Sequence, residues 1–428
     1  MYNLFLTGEI RIGKTTILQN ALEKVNSSIG GYITERNNKG DMTTFTVRSL
    51  YDCVEKFEIA TINTKEKTKN IFKDSFEIRL PSILDNSFNN RDLIILDELG
   101  FMENDIDSFT SRIYRILDSE KPVFGVLKDF DCEFLNNIKN RDDTILLTIT
   151  ERNRDTILDE VLNILKSFGI SIKNQNSFMW NKRSIEFYNE ALDHPSCDYP
   201  RAFIEEIKKY TGPLKGKTIL DIGAGTGAFT LPLMKEGALV TAVDSSFSML
   251  SSLYEKAKRE GLDNFTCIIG PFETSQPREH DIAISAFSKS STKTLEGIQK
   301  MHNLVHDYAF IISSFENHDY NFNRDILYKM LDRAPKKSKT TTVTLADTLE
   351  LLDEYGCDYE CKKIKYEFSQ YFKDFDEALE FFMIRYDIST AEEVKITKEF
   401  LNTLLIKTED QYKFLNNKES YLIAIRSK

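Results

Sequence analysis

The stretch LFLTGEIRIGKTT, residues 4–16, joins a short apolar run to a glycine-rich turn, and the helical segment ILQNALEKV follows it. Residues 8–15, GEIRIGKT, satisfy GxxxxGK[ST], the P-loop pattern, with strand before and helix after as that pattern requires. Glycines let backbone N–H groups turn toward phosphate oxygens, and the helix N-terminus adds positive potential. Gly8, Glu9, Ile10, Arg11, Ile12, Gly13, Lys14, Thr15 and Thr16 are therefore the candidate nucleotide-binding residues. Lys14 is expected to reach the β and γ phosphates of ATP or GTP, and Thr15 to hold Mg²⁺.

A second segment completes that site. In LIILDELGFME, residues 93–103, an apolar strand delivers Asp97 and Glu98 at its C-terminal end. Asp97 is expected in the Mg²⁺ shell, and Glu98 is expected to orient or deprotonate the attacking water. Either acid alone reads as a solvated strand end; the pair, behind a P-loop, reads as a phosphoryl-transfer site with Lys14 and Glu98 as its catalytic residues.

Outward from these motifs the chain shows two α/β series. The β-rich runs LFLTG, GGYIT, TTFTV, LIILD, PVFGVL and TILLTI alternate with longer mixed segments, and RDTILDEVLNILKSF has the spacing of an amphipathic closing helix. The polar, aperiodic stretch that follows reads as a linker at residues 168–179, which gives domains at 1–167 and 180–428. The second series, TILDIG, LVTAVD, FTCIIG, DIAISAF and YAFIISSF, predicts a doubly wound, Rossmann-like sheet. Two β-like stretches around the Asn-Asn pair near the C-terminus predict a hairpin at its edge.

TILDIGAGTGAFT, residues 218–230, places Asp221 at a strand end and then Gly223, Gly225 and Gly227 in a tight turn. The acid precedes the glycines, which suits a donor with an ammonium and no phosphate: S-adenosylmethionine. LVTAVD ends in Asp244, placed for ribose hydroxyls. Phe272 and Glu273 follow a third strand, where an adenine could stack and bond, although Phe272 reads equally well as core. Ile222, Ala224, Thr226, Ser245, Met249, Pro271, Ser285, Ala286 and Phe287 complete the candidate donor site. His280 and His194 are possible bases, each with a more ordinary role as a loop or capping residue. Aromatics crowd residues 355–386 and suggest either a cap over an acceptor or a helix packed on the sheet.

These motifs resemble two families. Residues 1–165 or so resemble the small P-loop nucleoside triphosphatases that include cancer-related nucleoside triphosphatase, through the P-loop, GGYITERNNKG, the segment from Asp97 to Glu103, and Asn153-Arg154-Asp155, in that order. The resemblance implies that Arg36 and Arg154 contact phosphate or base, while an ion pair is the plainer role for each. Two departures stand out: MTTFTV replaces the family's Arg-x-Gly-Phe, and Phe101 replaces its lysine. From Trp180 onward the chain resembles class I methyltransferases, which implies that Asp221, Gly223 and Gly225 meet the methionine part, Asp244 the ribose, and Ser285 to Phe287 the transferred methyl.

Bulk properties set bounds. A net charge of -11 argues against general affinity for nucleic acid. ISAFS at the fourth strand end, in place of the Asn/Asp-Pro-Pro-Tyr/Phe of amino-directed nucleic-acid enzymes, points the same way. No run of about 18 apolar residues occurs, and six scattered cysteines without a CxxC pair read as free thiols in the cytoplasm. The expected activities are nucleoside-triphosphate hydrolysis and methylation of a small-molecule or cofactor acceptor. A nucleotide-dependent switch regulating the methyltransferase, a donor-binding sensor, and an RNA or protein methyltransferase are the alternatives. Oligomeric state has no handle in the sequence.

Overall fold

The computed structural model describes residues 2–173, 182–313, 324–333 and 345–427. Its strands, in chain order, are β1 (Asn3–Thr7), β2 (Ile29–Lys39), β3 (Met42–Ser49), β4 (Lys56–Asn63), β5 (Thr68–Ile71), β6 (Leu93–Leu99), β7 (Val123–Leu127), β8 (Thr144–Thr148), β9 (Thr218–Ile222), β10 (Leu239–Asp244), β11 (Phe265–Ile269), β12 (His280–Ala286), β13 (Val305–Ser313), β14 (Tyr359–Glu367), β15 (Gln370–Phe372), β16 (Ile406–Lys407), β17 (Tyr412–Phe414) and β18 (Asn417–Arg426). Two compact units divide the chain: Met1–Met179 with Thr241–Pro277, and Trp180–Val240 with Arg278–Lys428.

In the first unit the sheet runs β11-β2-β6-β7-β1-β8. β1 and β7 are buried along their whole length and β6 nearly so, as central parallel strands covered on both faces must be. β6, β7 and β1 are parallel neighbours, so the segments leaving their C-terminal ends emerge side by side, where open α/β sheets bind ligands. β2 continues past the sheet into the antiparallel meander β3-β4-β5. The last two of these were invisible in the sequence because KFEIATIN and TKNI carry too many polar residues to read as buried strands. Residues 168–173 are packed: Ile172 bridges Val25 and Lys173 N–H donates to Lys24 O at 2.8 Å. Residues 174–179 of the expected linker lie outside the described residues.

In the second unit the order is β14-β18-β13-β12-β9. β12 pairs in parallel with β9 and β13, and β18 is antiparallel to both β13 and β14. The expected C-terminal hairpin does not form. YLIAI within β18 is buried on both faces, which demands a position inside the sheet, while β17 joins β15 and β16 in a separate three-stranded sheet. The crowded aromatics also resolve: Phe372, Phe381, Phe382 and Tyr386 pack with Phe187, Phe400 and Phe414 in a core of their own. These four side chains fill that core, with Phe382 fully buried. Phe382→Ala is accordingly expected to cost roughly 3–5 kcal/mol, read as a lowered melting transition by calorimetry. A variant as stable as the parent but altered in acceptor use would favour the cap instead.

Candidate functional site

The first site is built at the C-terminal ends of β1, β6 and β7. Gly8 leaves β1 with φ +132°, and a Cβ there would lie 2.5 Å from Ile149 O, so only glycine fits this approach. The loop ends at Gly13, the N-cap of the helix Lys14–Lys24, which makes no side-chain cap bond. The first-turn N–H groups, which a helix cannot satisfy internally, are thus left for a ligand. Lys14 folds over the loop, its ammonium donating to Gly8 O at 2.7 Å and Glu9 O at 2.6 Å. Burial lowers its pKa, against the opposing pull of Glu98, Asp129 and Asp97, which places all three acids within electrostatic reach.

Asp97 is fully buried. One carboxylate oxygen accepts from Thr34 N–H at 3.0 Å; the other is buried without a hydrogen-bond partner. Burial raises its pKa to about 7. An orphaned, desolvated carboxylate oxygen beside a phosphate-type loop is chemically suited to a hard cation, so Asp97 fits the Mg²⁺ role. Glu98 has φ +59°, and β6 carries one extra residue against β7 between Leu96 and Leu99. This bulge breaks the strand's alternation, and Glu98 faces the cleft, where Lys128 Nζ meets its carboxylate at 3.4 Å.

The cleft encloses about 810 Å³ and is lined by Gly8 to Arg11, Gly13 to Thr16, Arg36, Glu98 and Lys128, with an apolar side formed by Phe45, Ile62, Phe101, Met102 and Phe130. The Phe101 and Phe130 rings stand 4.7 Å apart. Arg36 lines the cleft as expected, its guanidinium bonded to Asn38 and 5.8 Å from the Phe45 ring. Arg154 does not line it; it lies 3.9 Å from Asp155, on the segment after β8. Ile12 is likewise absent from the lining. Sequence reading missed Lys128, Asp129, Phe130 and Glu103. The last is buried, with one unbonded oxygen, and burial raises its pKa to about 7.

The candidate donor residues fall on both units. In the second, Asp221 is the penultimate residue of β9; it is buried and accepts from Thr230 Oγ1 at 2.6 Å. The turn Gly223 to Gly227 follows with Ile222, Ala224, Gly225 and Thr226. Gly223 has φ +76°, and a Cβ there would lie 2.5 Å from the Ser288 side chain. Ser285 pairs across to Ile222, which sets the end of β12 beside this turn. Ala286 follows, and Phe287 is left-handed (φ +53°) and 43% exposed. Its ring lies 5.8 Å from the buried ring of Tyr199, whose hydroxyl pKa burial pushes upward, with Asp221 contributing. Tyr199 carried no motif and was missed.

In the first unit, Asp244 Oδ1 accepts from Ser246 N–H at 2.8 Å. Ser245 O accepts from Lys173 Nζ at 2.7 Å, and Met249 N–H donates to the Ser246 hydroxyl. Glu23, near the end of the P-loop helix, accepts from the Ser246 hydroxyl at 3.1 Å and from Ser248 N–H. Pro271 O accepts from Ser275, Glu273 is exposed and Phe272 is 1% exposed. His280 sits at the N-terminal end of β12, bonded to Arg278 O, at the opposite end of that strand from Ser285. His194 stacks on Tyr371 at 3.4 Å. Of the two, His280 is not placed as a methyl-transfer base.

A P-loop cleft with two strand-end carboxylates, and an acid-then-glycine turn on a Rossmann-like sheet, define a two-part α/β chain. Residues 3–162 match the family described as NTPase, and residues 219–307 match the family described as methyltransferase domain. Nucleoside-triphosphatase THEP1 of Thermotoga maritima is 31% identical over 167 residues, 38% of this chain and 95% of that protein. THEP1 of Methanocaldococcus jannaschii is 27% identical over 37% of this chain and 95% of that protein. Among solved structures, THEP1 from Aquifex aeolicus is 22% identical, covering 39% of this chain and 99% of that one, TM-score 0.34. Magnesium protoporphyrin IX methyltransferase from Synechocystis PCC 6803 with bound SAH is 14% identical, covering 59% and 90%, TM-score 0.35. The chain belongs, through its N-terminal part, to the THEP1 nucleoside-triphosphatase family, and it is an enzyme in which that domain is fused to a methyltransferase domain.

Glu103 supplies a pH test. Its folded pKa is raised from 4.5 to about 7, so its contribution to stability is fully present below 4.5 and is lost as pH rises through about 7. Thermal denaturation between pH 4 and 8.5 should show a decline in stability from about pH 4.5 to about 7 that levels off above neutrality, and Glu103→Gln should flatten that decline by roughly 1 kcal/mol per pH unit. Parallel curves for parent and variant would contradict this assignment.

Proposed function

We propose that the chain is bifunctional: Mg-dependent hydrolysis of a nucleoside triphosphate, ATP or GTP, in residues 1–167, and methyl transfer from S-adenosylmethionine to a small-molecule or cofactor acceptor in residues 180–428, joined through 168–179. The observation that carries the first activity is a cleft lined by Lys14, Thr15 and Glu98, with the buried Asp97 within electrostatic reach of Lys14. Lys14 and the first-turn N–H groups bind the phosphates, and Thr15 and Asp97 hold Mg²⁺, which screens phosphate charge when bound. Glu98 orients the water and takes its proton. Phe101 and Phe130 offer apolar faces to the base.

For the second activity, the donor's sulfonium is already a strong electrophile, so alignment of donor and acceptor supplies most of the acceleration. Asp221 is held in place by Thr230 to meet the ammonium, Asp244 takes the ribose, and Phe287 offers an exposed ring to the acceptor. One observation favours a switch reading of the first site: Glu98 is engaged by Lys128, which restrains the water-activating group.

Phosphate release separates the two. Glu98→Gln is expected to lower turnover by on the order of 10²–10⁴-fold while Mg-nucleotide binding persists; stoichiometric binding without turnover by the parent would support the switch. For the second activity, cell extracts incubated with isotopically labelled S-adenosylmethionine should yield a labelled small molecule by mass spectrometry. Label only in protein or RNA, or none, would overturn that part.

A further inference from the structure

The nucleotide cleft contains an ammonium that no motif supplies. Lys128 directly follows β7, and its N–H donates to Leu99 O at 2.9 Å, tying it to the strand that carries Asp97 and Glu98. Its side chain crosses the bare Cα of Gly100, where a Cβ would lie 2.9 Å from Lys128 Cδ and 3.5 Å from Nζ. Nζ then stands 3.4 Å from Glu98 Oε2, with the Phe45 and Phe101 rings 5.4 and 6.0 Å away. Glu103 lies beside it, buried, with Oε2 unbonded and 3.6 Å from that same Gly100 position.

An ordinary surface ion pair would add little to stability and be indifferent to turnover. This pair differs in its setting. The lysine stem lies against the bare Cα of Gly100, two aromatic rings flank it, and it lines the same cleft as Lys14 and Arg36.

We propose that Lys128 is a further catalytic residue of nucleotide hydrolysis, exchanging the Glu98 carboxylate for the terminal phosphate when Mg-nucleotide binds. The exchange frees Glu98 to orient water and places a cation where negative charge builds on the transferred phosphoryl oxygens. In the reaction, a water oxygen–phosphorus bond forms, the bond from that phosphorus to the bridging oxygen breaks, the water proton passes to Glu98, and nucleoside diphosphate leaves with inorganic phosphate. The inference rests on the hydrolytic reading above.

The test uses the full chain with Mg-ATP, measuring phosphate release together with equilibrium binding of a non-hydrolysable Mg-ATP analogue. Lys128→Met is expected to lower kcat by about 100-fold or more with analogue affinity changed less than tenfold, and Lys128→Arg should recover at least part of the loss. A Lys128→Met kcat within threefold of the parent overturns the inference. So does a loss of analogue affinity that matches the loss of kcat, since Lys128 would then bind ground and transition states alike. If the parent chain binds Mg-ATP and releases no phosphate, the hydrolytic reading itself falls, a result distinct from either variant's behaviour.

Discussion

The first site depends on how the end of β6 buries one carboxylate, Asp97, and sets the next, Glu98, in the cleft. A regular strand would send Asp97 and Glu98 to opposite faces. The extra residue between Leu96 and Leu99, with Glu98 in the left-handed region, departs from that regular geometry at a cost of about 1–3 kcal/mol. Asp97 remains sealed against Thr34 with one oxygen unbonded, and Glu98 turns toward Lys14 and Lys128. Strain and an unsatisfied buried acid are poor investments for a structural strand. They are intelligible where a cation and a phosphate arrive.

The neighbouring strands make the arrangement possible. Because β6, β7 and β1 are adjacent and parallel, three segments distant in sequence leave the sheet together: the P-loop, the Asp97-Glu98 pair and Lys128-Asp129-Phe130. The helix that opens at the P-loop also reaches, through Glu23, the Ser246 and Ser248 groups that follow Asp244. That helix therefore touches the phosphate loop at its start and the capping groups of the segment after β10 near its end.

What the sequence disclosed follows a physical division. Residues 8–16 and 97–98 were legible because phosphate chemistry constrains residue type and spacing within a few positions. The turn from Asp221 to Gly227 was legible because an acid near a strand end, followed by closely spaced glycines, is likewise a local pattern. Lys128 was not: VLKDFD has no pattern, and its relevance comes from strand adjacency that only the sheet order reveals. Tyr199 and the Thr230 bond to Asp221 depend likewise on packing. β18 was recognised as strand but misassigned in pairing, since its burial on both faces is a tertiary property, and the 355–386 aromatics left cap and core open until their neighbours were known. Arg154, advanced by resemblance alone, sits apart from the cleft lining.

Asp97 is proposed as the protein's link between magnesium and nucleotide, on its buried, unbonded carboxylate oxygen. Nucleotide affinity of the full chain, measured by calorimetry with and without Mg²⁺ in parent and Asp97→Asn, addresses it directly. Mg²⁺ is expected to strengthen binding at least tenfold in the parent and much less in the variant. An equal gain in both would contradict it.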